Sequence, residues 1–453
     1  MTVDLVVKNS KIYTPYGFFD GSIVVDDGKI VALNKGIPSE NADRVLDAKG
    51  MHLLPGMVDM HTHFRDPGFP EREDFTTGTT AAAVGGITTV VDMPNTVPSV
   101  TSAVVVKEKI GIADKKSLVD FALIGGAGDV TDDDLLEMAK EGVIGYKTFM
   151  TARFKELAAD DAKMIDNFYT IETTGLPCLV HAENQTIVTK MMERAIEMGR
   201  IDPLAHCEFR PAIAEEEATM RTVILARNTG VHLHICHMTA AGAVDILEWA
   251  QEQGQMVTGE TSPNYLLLNS EAMKKHGPYA KIDPPLRSPN DQETLWWGLN
   301  NGIIDVIASD HAPYPMQLKE KGWDNIFEAP SGGVAVEYSL PLMLNAVNQG
   351  LISLNRLVEV FSENPTKICS LYPKKGSILP GADADFVIVD MDKEFEIKGS
   401  ELHSKQKKTP FEGWKGKGQP IHTFVRGTAI VENGIPIGKK GYGKYQRPKV
   451  KIA

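Results

Sequence analysis

Residues 55–68 read PGMVDMHTHFRDPG, and the way this stretch folds decides the rest of the chain. The residues before the histidines are mostly apolar and do not alternate with polar ones, as in a strand covered on both faces. Successive strand residues face opposite sides, so His61 and His63 present two imidazoles on one face. Arg65-Asp66-Pro67-Gly68 then stops the strand and opens a loop. Two imidazoles at the end of a buried strand can begin a divalent-metal site. Taken alone, the pair reads more readily as two surface histidines on an edge strand. The surrounding chain has to decide between the two.

Downstream of this strand the same kind of segment recurs. ITTVVDMPN, LVDFALIGG, VIGYKTFM, PCLVHAE, VHLHICHM, QMVTGETS and IIDVIASDH are apolar runs of strand length. Between them lie helix-like stretches, such as DDDLLEMAKEG (132–142), with acidic residues at its start, and AGAVDILEWAQEQG (241–254), with a terminal glycine. Eight strand–helix units over residues 56–374 predict a parallel sheet closed into a (β/α)8 TIM barrel. A doubly wound open sheet is the other α/β arrangement compatible with the pattern. No glycine-rich phosphate loop follows any of the strands.

The two ends of the chain have a different texture. VDLVVKNSKIY and GSIVVDDGKIVAL near the start, with Asp27-Gly28 as a hairpin dipeptide, are echoed by DADFVIVDMD and HTFVRGTAIVENG near the end. We expect residues 1–55 and 375–453 to form one small β-sandwich domain, with the barrel inserted between its halves.

Composition narrows the partners. With 42% hydrophobic and 24% charged residues the chain is an ordinary globular protein. Its net charge of −13 offers no basic field for nucleic acid or an anionic membrane. The scattered Cys178, Cys207, Cys236 and Cys369 form no CxxC pair and read as small buried residues of a reducing compartment. The start lacks a secretory profile and no apolar run approaches membrane-spanning length, so a cytosolic protein is expected.

Ionisable residues cluster at the expected strand ends: His61 and His63 in the first, Lys147 in the fourth, His181 in the fifth, His237 in the sixth and Asp310 in the eighth. Barrel enzymes build their sites at that end. A single buried His or Asp would be an ordinary hydrogen-bonded core residue; six converging on one mouth point to a metal-dependent catalytic site. His232 and His234, further from the strand end, and His311 read as packing or hydrogen-bonding residues.

With these residues in place, the sequence resembles the amidohydrolase superfamily, specifically the cyclic-amide hydrolases: hydantoinase or dihydropyrimidinase, allantoinase and dihydroorotase. The likeness runs over nearly the whole chain and includes NPTKICSLYPKKGSILPGADADFVIVD (364–390). It implies two divalent ions, Zn²⁺ first with Co²⁺ or Mn²⁺ as alternatives, held by His61, His63 and Asp310 on one side and His181 and His237 on the other. It further implies a CO₂-derived carbamate on Lys147 bridging them, with Asp310 as the proton-transferring residue. A free ammonium beside two dications would be repelled, whereas a carbamate is an anionic oxygen ligand. A homotetramer or homodimer acting on a small cyclic amide is the implied assembly and substrate.

For the substrate, Arg65 with Asn95 could hold a carboxylate, as in dihydroorotase. An Arg65–Asp66 or Arg65–Glu71 loop pair is the plain alternative. Asp283 in Asp283-Pro284-Pro285, and Ala312-Pro313-Tyr314 without a histidine, depart from dihydroorotase and disfavour an anionic ring. Residues 151–153, Thr-Ala-Arg, lack the tyrosine that dihydropyrimidinases place there. Gly332 in Ala329-Pro330-Ser331-Gly332-Gly333 could bring backbone close to the ring, or be a plain turn. The order is therefore allantoinase or hydantoinase first and dihydroorotase second. A non-catalytic scaffold relative, which would have lost ligands, comes last.

Overall fold

The computed structural model describes residues 2–36, 41–152 and 155–450. Every strand expected for the barrel is present: β1 (Met57–Thr62), β2 (Ile87–Asp92), β3 (Asp120–Leu123), β4 (Tyr146–Phe149), β5 (Cys178–His181), β6 (Leu233–Ile235), β7 (Val257–Thr261) and β8 (Val306–Ile307). Each pairs in parallel with its neighbour. After a break at Ile124, β3 continues as Gly125–Gly126, which pairs with β4. Thr62 bridges His311, and the His63 N–H donates to the His311 carbonyl at 2.8 Å, which closes the circle between β8 and β1.

The strands are short and buried along nearly their whole length, so continuous apolar runs, not alternation, mark them. Helices fill the connections. Asp132–Lys140 begins with a reciprocal cap between Thr131 and Asp134, one residue before the acidic run that announced it. Ala241–Glu252 follows β6; the Ala241 N–H is satisfied by Asp291 Oδ1 at 2.9 Å instead of by a cap of its own. Helix side chains such as Leu135, Phe168, Val223 and Leu247 join strand residues such as Val90, Tyr146 and Val180 in the main core. No helix among the described residues is long and apolar enough to cross a membrane.

The chain ends meet in a single nine-stranded sheet. His52–Pro55, just ahead of β1, lies between Thr2–Thr14 and the C-terminal strand Phe386–Glu396, pairing Leu53 with Ile388 and Leu54 with Val387. This β-rich part has its own apolar cluster, in which Leu5, Ile23 and Leu53 from the start pack with Phe386, Ile388 and Phe424 from the end. The tail beyond it returns to the barrel: the Phe121 N–H donates to the Lys444 carbonyl and the Gln446 N–H to the Phe121 carbonyl. β1 thus starts from a strand anchored by both ends of the chain, and its far end carries the histidine pair.

Candidate metal centre

His61 lies in the last turn of β1 and His63 one residue beyond it, both almost fully buried. Across the closing seam, Asp310 Oδ1 is 3.5 Å from His61 Nε2 and 3.2 Å from His63 Nε2. One donor atom from each of the three lies within 4.8 Å of the others. On the opposite wall His181 Nδ1 and His237 Nε2 are 3.1 Å apart. The rings of His61 and His237 are separated by 5.3 Å, so the four imidazoles form one continuous patch. Lys147, wholly buried, rises from β4 and donates from Nζ to Cys236 Sγ at 2.8 Å. His61, His63, His181, His237 and Asp310 line a cleft at the mouth of the barrel, and Lys147 is buried behind its wall. All six ionisable residues expected at the strand ends are therefore brought together.

The backbone is bent to achieve this. His237, Asp310 and Arg65 have φ of 37°, 49° and 60°, in the left-handed region that side chains avoid. Each such residue costs about 1–3 kcal/mol and persists only where the surroundings impose it. All three sit on the cleft wall.

Electrostatics sort the groups. Burial drives the His63 and His237 imidazoles well below their ordinary range, helped by Arg65 at the first and His181 at the second. Neutral imidazoles carry the lone pairs that a metal needs. The Nδ1 atoms of both are buried with no hydrogen-bond partner among the described residues. Burial also raises the Asp310 carboxyl above its usual value. His61 behaves differently: burial opposes its charge, but Glu260 lifts it to about 10. Unsatisfied imidazole nitrogens next to an acid, at contact spacing, fit divalent cations of the N- and O-binding kind.

Two supporting acids were not singled out from the sequence. Glu260 on β7 is buried; it contacts His61 Nδ1, takes the His237 N–H at 3.2 Å and meets His234 Nε2 at 3.2 Å. Burial opposes its ionisation, yet His61 and His234 hold it well below the usual carboxylate range. By engaging Nδ1 it turns the His61 Nε2 toward Asp310. Glu183 does the same for His181, with Nε2 at 2.7 Å; Arg210, whose Nε donates to it at 2.7 Å, outweighs burial and holds it at about 2. The available signal was a glutamate inside each of the apolar strands VTGETS and PCLVHAE.

The expected substrate contacts divide. Arg65 lines the cleft, and its Nη1 donates to the Asn95 main-chain carbonyl at 3.0 Å. The Asn95 side chain is buried and is not part of the cleft wall, so the pair meets through the backbone. Asp66 pairs with Lys116 at 2.6 Å instead of with Arg65. Asp283 lines the cleft with Arg210 Nη1 at 3.2 Å and His206 Nε2 at 3.3 Å, so its charge is locally matched. Gly332 also lines it at φ 127°, but its N–H already donates to the Lys281 carbonyl. A Cβ there would come within 2.5 Å of the Ala312 carbonyl oxygen, which is why this turn needs glycine. His232 and His234 share Thr258 Oγ1, and His311 Nδ1 accepts the Ala335 and Val336 N–H groups, so all three are hydrogen-bonding residues as expected. Arg153 lies outside the described residues.

Residues 52–430 match the model of the amidohydrolase family. The fold superposes on a solved L-hydantoinase (dihydropyrimidinase) of Arthrobacter aurescens with a TM-score of 0.96 and 36% identity, covering 98% of this chain and 100% of that one. A dihydroorotase of Methanothermobacter thermautotrophicus is 37% identical over 94% of this chain and 93% of its own length. An allantoinase of Desulfitobacterium hafniense is 34% identical over 98% of this chain and 99% of its own.

Proposed function

The chain belongs to the amidohydrolase family, and we propose that it opens a cyclic amide ring by hydrolysis, with a 5-substituted hydantoin or allantoin as substrate. The convergence of His61, His63, Lys147, His181, His237 and Asp310 on one buried patch carries the reading. His61, His63 and Asp310 hold one divalent ion in this proposal, and His181 and His237 the other. Lys147 would join the two sites as a carbamate; among the described residues its buried amine donates to the Cys236 thiol, a weak acceptor, and lies over the Phe149 ring. When bound, such ions polarise a carbonyl and make water acidic enough to attack near neutral pH.

The chain's own residues do the rest. Asp310 takes the proton from the attacking water and returns it to the departing ring nitrogen, yielding a carbamoyl amino acid or a similar open acid. Glu260 and Glu183 keep two of the imidazoles turned toward the centre throughout. Full retention of the ligand set argues against a non-catalytic scaffold, and about two bound divalent ions per subunit in the purified protein is the expected result.

Dihydroorotate is the second reading, favoured by one observation: Arg65 stands buried on the cleft wall beside His63. Against it, Ala312-Pro313-Tyr314 contributes no histidine, and Arg210, which also lines the cleft, is matched by Glu183 and Asp283. A ring-opening assay across allantoin, hydantoin, 5-substituted hydantoins, dihydrouracil and dihydroorotate separates them. Turnover of the hydantoins or allantoin at the highest kcat/KM is expected; preferential opening of dihydroorotate would reverse the order.

A further inference from the structure

Next to the cleft lies a second, larger hollow of about 370 Å³, and the two share Arg210, Asp283 and Ser331 as a common wall. A group attached to a ring in the cleft would have this hollow as its neighbour. One side is apolar: Val188 and Met192 from helix Gln185–Glu197, with Phe209, Leu318 and Phe327. Arg72 and Tyr314 line it as well.

Arg72 is unusual among the cations here. Its guanidinium carbon lies 3.9 Å from the centre of the Phe69 ring and 4.9 Å from that of Tyr314. Its Nε is buried with no hydrogen-bond partner, and among the described residues no carboxylate comes within ion-pair distance of it. The neighbouring cations are engaged: Arg210 with Glu183 and Asp283, and Lys281, through Nζ, with the Ile326 and Ala329 carbonyls. Of the two acids on the wall, Asp283 is matched by Arg210 and Glu328 is exposed to solvent. Stacking on aromatic faces holds a guanidinium in place while leaving its planar edge of donors for a carboxylate. A chain that leaves such a charge unmatched in a hollow beside its reaction cleft has a receptor for an anion.

We propose that this hollow receives the ring substituent of the substrate, and that the substituent is an extended, largely apolar or aromatic group ending in a carboxylate bound by Arg72. The inference rests on the ring-opening reading and narrows it to cyclic amides with a carboxyalkyl or carboxyaryl side chain. It differs from the dihydroorotate reading, in which the carboxylate sits directly on the ring and so belongs at Arg65 inside the cleft.

The test compares kcat/KM of the metal-loaded enzyme for hydantoin, 5-benzylhydantoin and 5-(4-carboxybenzyl)hydantoin, in wild type and in Arg72→Gln. Wild type should favour the carboxybenzyl over the benzyl compound roughly tenfold, the size of a charge-assisted hydrogen bond, mainly through KM. In Arg72→Gln that ratio should fall to about one; taken within one variant, the ratio cancels any general loss of folded enzyme. A wild-type ratio at or below one, or a ratio that survives in Arg72→Gln, overturns the proposal while hydantoin turnover leaves the catalytic reading standing. No turnover of any ring defeats the catalytic reading and this one with it.

Discussion

Among the described residues, two of the clusters that could hold a cation have opposite chemistry: one is built of carboxylates alone, the other of two imidazoles and a carboxylate. In one, carboxylate oxygens of Asp120, Asp383 and Asp385 lie within 4.8 Å of one another; in the other, donor atoms of His61, His63 and Asp310 do. The first is filled by the chain itself. The buried Lys375 Nζ contacts all three acids, 2.8 Å from Asp383, and Arg426 completes the charge at Asp120. Burial opposes the Lys375 charge, but its three acids push its pKa up. This cluster ties a barrel strand to the C-terminal strand and, through Lys444 and Gln446, to the tail. At the other, among the described residues no lysine or arginine reaches Asp310 within ion-pair distance, and its neighbours are imidazoles held neutral or turned by acids. A cluster filled by a lysine of the chain is a fastener; one lined by imidazoles and an acid is a candidate metal centre.

The largest effect expected from that contrast is chelation. Removing divalent ions should abolish ring opening, with recovery on adding Zn²⁺, Co²⁺ or Mn²⁺, while circular dichroism stays native because the lysine-filled cluster is untouched. Undiminished turnover in protein shown by elemental analysis to be metal-free would break the comparison. Asp310→Asn comes next: kcat should drop about a thousandfold, within the range for a lost proton-transfer group, and full activity would remove Asp310 from the mechanism.

At the fastener, Lys375→Met removes the ammonium shared by three carboxylates; Arg426 still pairs with Asp120 and Lys29 with Asp383, while Asp385 loses its lysine. Urea unfolding should show about 3–5 kcal/mol of lost stability, with activity per folded molecule retained; a wild-type midpoint would mean the acids do not need the ammonium. The smallest effect concerns a histidine beyond both clusters. Burial, with the His234 charge, holds His232 at about 4 against an ordinary 6.5. Between those values the unfolded chain binds a proton that the folded one does not, so stability falls as pH drops from 6.5 to about 4. The shift contributes about 3 kcal/mol over that window. Denaturant titrations of His232→Gln should give a shallower acid limb, and an unchanged one would show that His232 is not its source.

Much of this was legible in the sequence for identifiable reasons. Strands buried on both faces must be apolar throughout, so the eight runs stood out, and the ionisable residues at the ends of five of them were conspicuous against them. The H-x-H spacing placed His61 and His63 on one face through strand geometry alone. Glu260 and Glu183 were less visible because their meaning depends on which imidazole of another strand they touch. Lys375 appeared only as part of a familiar motif; the motif does not say that Asp120, more than two hundred residues away in the chain, shares its ammonium. Asn95 shows the converse: its proximity to Arg65 is real, but the contact runs through its carbonyl and its amide is turned away from the cleft.

By itself, then, the sequence determined the alternation of strand and helix, the barrel that eight such units imply, and the ionisable residues that the barrel brings together. These follow from residue type and period, which act over a few neighbours along the chain. The tertiary structure alone decided that the acid at 283 is matched by Arg210, that Gly332 serves its own turn, and that Arg72 packs against two rings with no carboxylate within ion-pair distance among the described residues. Charge matching falls off within a few ångströms, so it depends on which distant segments meet, and only the closed barrel brings them together.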